Sequence, residues 1–340
     1  METNYSAHLQ QAKEALAQQR HGDAVCSYEQ ILELDSRSVD ALQGLGDVFF
    51  EKKEYYLAAD HYMKAASIAP SSAYAHVRLG RIAELQGRLE DASGSYGYAM
   101  QLDPDDFRPH QFLGEISFKQ KNFDAASVSY HKAIELGSRA PFVRYKLGRI
   151  ALQEQDYPTA ADYFQQAVSL NKKNFRFYAA LGDVHFLQKQ FARAKSAYES
   201  AIALNSELMN VHMKLGQIAL QQKRLPKASK SFKKAVSLAP EDFRPYQLLG
   251  EVQFAQKAFD EAKQNYERAI SLGSKATFVF FKLGRIAQIK QDLEATTSWY
   301  EKAISLNPHT TLVFITSWVL RTNRSKNWKK RSSATRKRFR

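Results

Sequence analysis

Apolar residues return along this chain at helical spacing, in short stretches broken by polar turns. Val143, Leu147 and Ile150 share one helical face. After the polar run from Gln153 to Asp156, Tyr157, Ala160, Phe164 and Ala167 share another. Two such stretches around one turn predict a pair of short antiparallel helices. The pattern then recurs. A Leu-Gly pair stands at Leu45-Gly46, Leu79-Gly80, Leu113-Gly114, Leu147-Gly148, Leu181-Gly182, Leu215-Gly216, Leu249-Gly250 and Leu283-Gly284, each step being 34 residues.

Three further columns keep the same frame. Small residues fall at Ala58, Ala92, Ala126, Ala160, Ala194, Ala228 and Ala262, with Thr296 the departure, and four residues later an aromatic stands at each of Tyr62, Tyr96, Tyr130, Phe164, Tyr198, Phe232, Tyr266 and Tyr300. A second alanine column runs from Ala65 to Ala303. A glycine inside a helix costs about 1 kcal/mol against alanine, so a column of them needs a compensating gain. Close approach of the second helix through its alanines is the expected one. Asp105 and Asp106 can cap a helix beginning near Phe107 with Pro109 in its first turn, and Asp242 and Pro245 repeat the arrangement.

The length, the Leu-Gly pair, the alanine and aromatic columns and the unit-ending prolines Pro70, Pro104, Pro240 and Pro308 together resemble the tetratricopeptide repeat family. The resemblance covers eight units: 39–72, 73–106, 107–140, 141–174, 175–208, 209–242, 243–276 and 277–310. A degenerate unit, 5–38, precedes them; it keeps Ala24, Tyr28 and Leu34 in register but has Gln11-Ala12 in place of Leu-Gly. The fold this implies is all-α, an α-solenoid of helix pairs winding into a right-handed superhelix, with the first helix of each pair lining a concave groove. Residues 107–140 match 243–276 at 20 of 34 positions, so a four-unit block, 39–174, reads as duplicated into 175–310.

Charge then suggests where a partner would sit. One column of the first helices alternates in sign, Asp47, Arg81, Glu115, Arg149, Asp183, Gln217, Glu251, Arg285, and predicts ion pairs between neighbouring units that use Arg149 and Arg285. Another presents a cation in every second unit, Arg78, Lys146, Lys214 and Lys282, and never an acid, which leaves these for an acid of the next column or for a ligand. Arg108, Arg176 and Arg244 fall nearby, and Phe50, Phe118, Phe186 and Phe254 adjoin them. Cations beside aromatics suit an extended peptide or partner helix with acidic and apolar residues. The resemblance implies the same role, a non-enzymatic interaction scaffold or adaptor, or the regulatory part of an enzyme complex whose catalytic unit is another chain. Family members that grip a terminal carboxylate need lysine where Tyr145 and Val77 stand, and the column of the family's asparagine ladder holds the mixture of Arg78, Lys146 and their counterparts.

Catalytic chemistry finds little support. Lys146-Leu-Gly-Arg149 lacks the glycine spacing of a phosphate loop. His76, His110 and His212 share a column without the cysteines or carboxylates of a metal site, and no metal, cofactor or small-molecule substrate is expected. Cys26, the single cysteine, has no base beside it and is expected as a small buried residue. The thirty residues after the array are too few for a catalytic core.

Composition changes the picture at one end only. Ten of the fourteen excess positive charges lie between Arg321 and Arg340, where no acid occurs. Residues 311–320 could cap the array as a helix. Residues 321–340, including Lys329, Lys330, Arg331, Arg336, Lys337 and Arg338, read as a disordered basic tail able to associate with nucleic acid or an anionic membrane. The array itself reads as carrying no basic stripe comparable to that of known nucleic-acid readers. With no signal peptide and no long apolar run the chain is expected in the cytoplasm, or in the nucleus if the tail serves as an address.

Overall fold

The structure, a computed structural model, describes residues 2–307; the expected cap at 311–320 and the basic tail lie outside them. The described residues form eighteen α-helices and no strand. Contacts divide them into two compact units between Lys173 and Asn174, next to the join of the two sequence blocks. The first unit holds the pairs α1 (Glu2–Ala17) and α2 (His21–Leu34), α3 (Val39–Glu51) and α4 (Tyr55–Ile68), α5 (Ala73–Leu85) and α6 (Leu89–Leu102), α7 (Phe107–Lys119) and α8 (Phe123–Glu135), and α9 (Pro141–Gln153) and α10 (Tyr157–Leu170). The second holds α11 (Phe175–Leu187) and α12 (Phe191–Leu204), α13 (Met209–Gln221) and α14 (Leu225–Leu238), α15 (Phe243–Ala255) and α16 (Phe259–Ser271), and α17 (Thr277–Ile289) and α18 (Leu293–Leu306). Within each unit, helices pack on their partner and on the next pair, as in an all-α solenoid of helical repeats. No described helix is long and apolar enough to cross a membrane.

Local chemistry sets the ends of these helices. The side chains of Ser38, Ser72, Asp106, Asn174 and Asp242 each accept a hydrogen bond from a backbone N–H in the first turn of α3, α5, α7, α11 and α15. Each first helix stops at a residue with positive φ. That residue is glycine once, at Gly87, and elsewhere Gln19, Lys53, Lys121, Gln155, Lys189, Lys223, Lys257 or Gln291, with φ between 56 and 64°. The left-handed turn costs an L-residue roughly 1–2 kcal/mol, so these positions hold backbone strain that the packed pair outweighs.

The core of every unit is the column pattern made solid. Ala58, Ala92, Ala126, Ala160, Ala194, Ala228 and Ala262 are fully buried, as are the rings Tyr62, Tyr96, Tyr130, Phe164, Tyr198, Phe232 and Tyr266. The helical glycine answers to the ring rather than to the alanines. A Cβ added at Gly148 would lie 2.7 Å from the Phe164 ring, well inside van der Waals contact, so the aromatic of the second helix lies flat on glycine backbone of the first. In the first pair, where Ala12 replaces glycine, the Tyr28 ring lies against Gly44 of the following helix α3.

Candidate functional site

The polar face of the first helices is organised by hydroxyls that the core cannot leave dry. The Tyr198 hydroxyl donates to Asp183 at 2.7 Å, Tyr130 to Glu115 at 3.1 Å and Tyr62 to Asp47 at 2.6 Å, in each case fifteen residues back in the chain. Tyr96 reaches Glu84 at 3.2 Å instead. Where the aromatic is Phe164 or Phe232 there is no hydroxyl to satisfy, and the matching positions carry Arg149 and Gln217. The acid thus accompanies the hydroxyl in most pairs, but not at Tyr300, whose matching position is Arg285 and whose hydroxyl lies 3.5 Å from Gln288. Tyr266 keeps the acid, Glu251, but its hydroxyl is buried without a hydrogen-bond partner among the described residues.

The same acids hold the cations of the next pair. Lys146 Nζ lies 3.0 Å from Glu115 and 4.1 Å from the centre of the Phe118 ring. Lys282 repeats this with Glu251 at 3.5 Å and Phe254 at 4.3 Å. Arg78 does so with Asp47 at 3.0 Å and Phe50 at 5.4 Å, while Tyr74 also donates to Asp47. Burial works against the charged form of Arg78, but Asp47 together with the Tyr74 and Tyr62 hydroxyls outweighs this and raises its pKa. Lys214 sits 4.3 Å above Phe186 but forms no ion-pair contact among the described residues. The acid near it, Asp183, is pushed above the usual carboxylate range by burial, against the opposing pull of the Tyr198 hydrogen bond and Lys214.

The pairing runs diagonally. Lys146 and Glu115 are 31 residues apart, one helical turn short of the repeat. Glu115 is thus an acid of the next column, one of the two partners the sequence left open for Lys146, the other being a ligand. Arg149, expected in an ion-pair ladder, makes no ion pair among the described residues; its guanidinium carbon lies 5.5 Å from the Phe118 ring centre and the side chain is exposed. Arg285 likewise has no ion pair among them. Arg81, instead of bridging to the next unit, turns to Glu84 of its own helix at 2.5 Å, and Lys119 of α7 meets the same carboxylate at 2.8 Å. Burial would push Glu84 up, but the hydrogen bonds from Lys119 and Arg81 hold it below its usual range.

The remaining candidates separate by cap. Arg108 and Arg244 fold back on the N-cap acids Asp106 and Asp242, at 2.9 and 2.5 Å. At Arg176 the cap is the neutral Asn174, and the exposed guanidinium lies by Phe175. Phe118, Phe186 and Phe254 each meet a ring at the start of their own second helix, Phe123, Phe191 and Phe259. Cys26 is exposed, not buried: Ala24, Ser27, Tyr28 and Ile31 take the inner face of α2 and leave residue 26 outside. His76 packs edge-on against Tyr98 at 4.6 Å. Among the described residues no group of three or more His, Cys, Asp or Glu could hold a metal ion. Lys329, Lys330, Arg331, Arg336, Lys337 and Arg338 lie outside the described residues.

A family model described as tetratricopeptide repeat matches residues 9–73, 113–179, 145–206 and 179–243, and a second of the same description matches 243–272 and 279–310. No curated protein matches the chain. Among solved structures the chain is similar to one from a functional characterisation of Pseudomonas aeruginosa pilF, with 20% identity, a TM-score of 0.52 and 60% of this chain and 93% of that one covered. It is also similar to YrrB, described as a TPR protein with an unusual peptide-binding site, at 19% identity and a TM-score of 0.51, over 58% of this chain and 99% of that one. The C-terminal part of a TPR repeat-containing protein from Cytophaga hutchinsonii aligns at 17% identity and a TM-score of 0.56, over 71% and 99%. At such identities the likeness is one of fold.

Proposed function

Because the chain belongs to the tetratricopeptide repeat family, whose stacked helix pairs present extended binding surfaces, we propose that it is an interaction scaffold holding acidic peptide segments of partner proteins against its first helices. The observation that carries this reading is the division of the cations. Arg78, Lys146 and Lys282 are held by acids of the preceding pair, and Arg108 and Arg244 by their own caps. Arg149 in the first unit, and Arg176, Lys214 and Arg285 in the second, have no ion pair among the described residues. Several rest on aromatic rings, which orient a cation without neutralising it. A carboxylate-bearing peptide supplies the missing counter-charge, and the description of YrrB as a TPR protein with a peptide-binding site agrees with a peptide as the partner class.

The test is selection of displayed random peptides on the immobilised full chain. The reading predicts enrichment of sequences rich in Asp and Glu, with enrichment reduced by Arg149→Glu or by Lys214→Glu with Arg285→Glu. A failure to enrich acidic sequences, or enrichment indifferent to these changes, counts against it.

A further inference from the structure

A second surface lies among the second helices of the second unit. Between α12 and α14, above α13, opens a cavity of 350 Å³ with an aliphatic floor of Leu215, Ile218 and Ala219. Its rim carries Arg224, Lys227 and Lys230 on one side and Lys195 on the other. The only acid on the lining, Glu199, is 3.4 Å from Lys195.

The rim continues along α14. Lys227, Lys230 and Lys234 recur at three- and four-residue spacing and share one face, with Lys223 and Lys233 beside them, and all of these and Arg224 are exposed. None of the six forms an ion pair with a described residue. Helix α14 contains no acid, whereas every other described second helix contains at least one. The solenoid does not require these lysines, since the places of Lys227 and Lys230 are taken elsewhere by Asp91 and Asp162. Their mutual repulsion works against the helix, and Arg224 and Lys227 oppose the positive end of its dipole. A counter-charge from outside relieves both.

We propose that this cavity docks an acidic peptide segment of a partner protein, one aliphatic side chain seated on Leu215, Ile218 and Ala219 and carboxylates meeting Arg224, Lys227 and Lys230. The lining decides the class of occupant. A single-stranded nucleic acid is held by aromatic platforms as well as cations, and no aromatic side chain lines this cavity among the described residues. The chain's own residues 321–340 carry the same sign of charge as the rim and are repelled from it.

Fluorescence anisotropy on the full chain tests the proposal. The probes are a fluorescein-labelled peptide of roughly twelve residues repeating Glu-Glu-Leu, its analogue with serine for leucine, and a labelled single-stranded oligonucleotide. The leucine peptide is expected to bind the unaltered chain and to lose about tenfold or more in affinity with Lys227→Glu and Lys230→Glu. It should keep its affinity in the charge-matched control Lys189→Glu with Lys257→Glu. Circular dichroism should show unchanged helix content throughout. Four results overturn the proposal: leucine-peptide binding indifferent to the α14 changes; equal binding of the serine analogue; oligonucleotide binding lost in the α14 variant while the leucine peptide never binds; and self-association in sedimentation that the α14 changes abolish.

Discussion

Gly148 has the Phe164 ring where its own side chain would be, and 2.7 Å leaves no room for a methyl group. Gly148→Ala gains about 1 kcal/mol of helix propensity but forces the ring or helix aside, an overpacking of about 1–3 kcal/mol or more. The expected outcome is a net loss of stability, read as a lower urea midpoint at unchanged slope. The tyrosines allow a sharper comparison. Tyr198→Phe removes the hydrogen-bond partner of a half-buried carboxylate and is expected to cost about 1–2 kcal/mol. Tyr266→Phe removes a hydroxyl that has no partner and should change stability by less than about 0.5 kcal/mol; equal losses in parallel denaturation curves would show that the hydroxyl-to-acid bonds do not carry the difference. At this scale burial was open to the sequence, because Ala160 and Phe164 obey a fixed period. Cys26 was not: cysteine is often buried, yet its register on α2 set it outside.

The elements hold two further consequences. Glu84 draws Arg81, Lys119 and Tyr96 together across α5, α6 and α7. Its folded pKa is depressed, so its contribution is present above the ordinary carboxylate range and is lost as pH falls through the lowered value. Glu84→Gln is therefore expected to lower stability at neutral pH by about 1–3 kcal/mol, and to flatten the acid side of a stability-against-pH curve. The turn after each first helix gives the opposite sign. Gln155 sits at φ 62°, and Gln155→Gly exchanges a strained left-handed residue for one without strain. A gain of about 0.5–1 kcal/mol remains after the added freedom of the unfolded chain, and a thermal melt measures it. The sequence placed this turn between Gln153 and Asp156, but not its handedness, since glycine marks it only at Gly87. Likewise the sequence sets the cations of Lys146 and Arg149 three residues apart. Which one meets Glu115 depends on a 31-residue diagonal that a 34-residue comparison passes over.

For the molecule, repetition was the most informative property of the sequence. One period fixed helix pairs, core columns and family together, because each pair buries its apolar face on the next. Function follows less directly: the fold specifies a surface, while the partner is specified by charges that packing leaves free. The central claim is that the first helices hold acidic peptides through Arg149 in one unit and Lys214 and Arg285 in the other. The direct measurement is the affinity of a selected acidic peptide for the full chain, for the triple variant Arg149→Glu, Lys214→Glu, Arg285→Glu, and for Lys227→Glu with Lys230→Glu, each at low and high salt. The account predicts a loss of about tenfold or more in the triple variant and weaker salt dependence there; a loss confined to the α14 variant would place the selected peptide on the second-helix surface instead. Equal affinity and equal salt dependence in all three would contradict it.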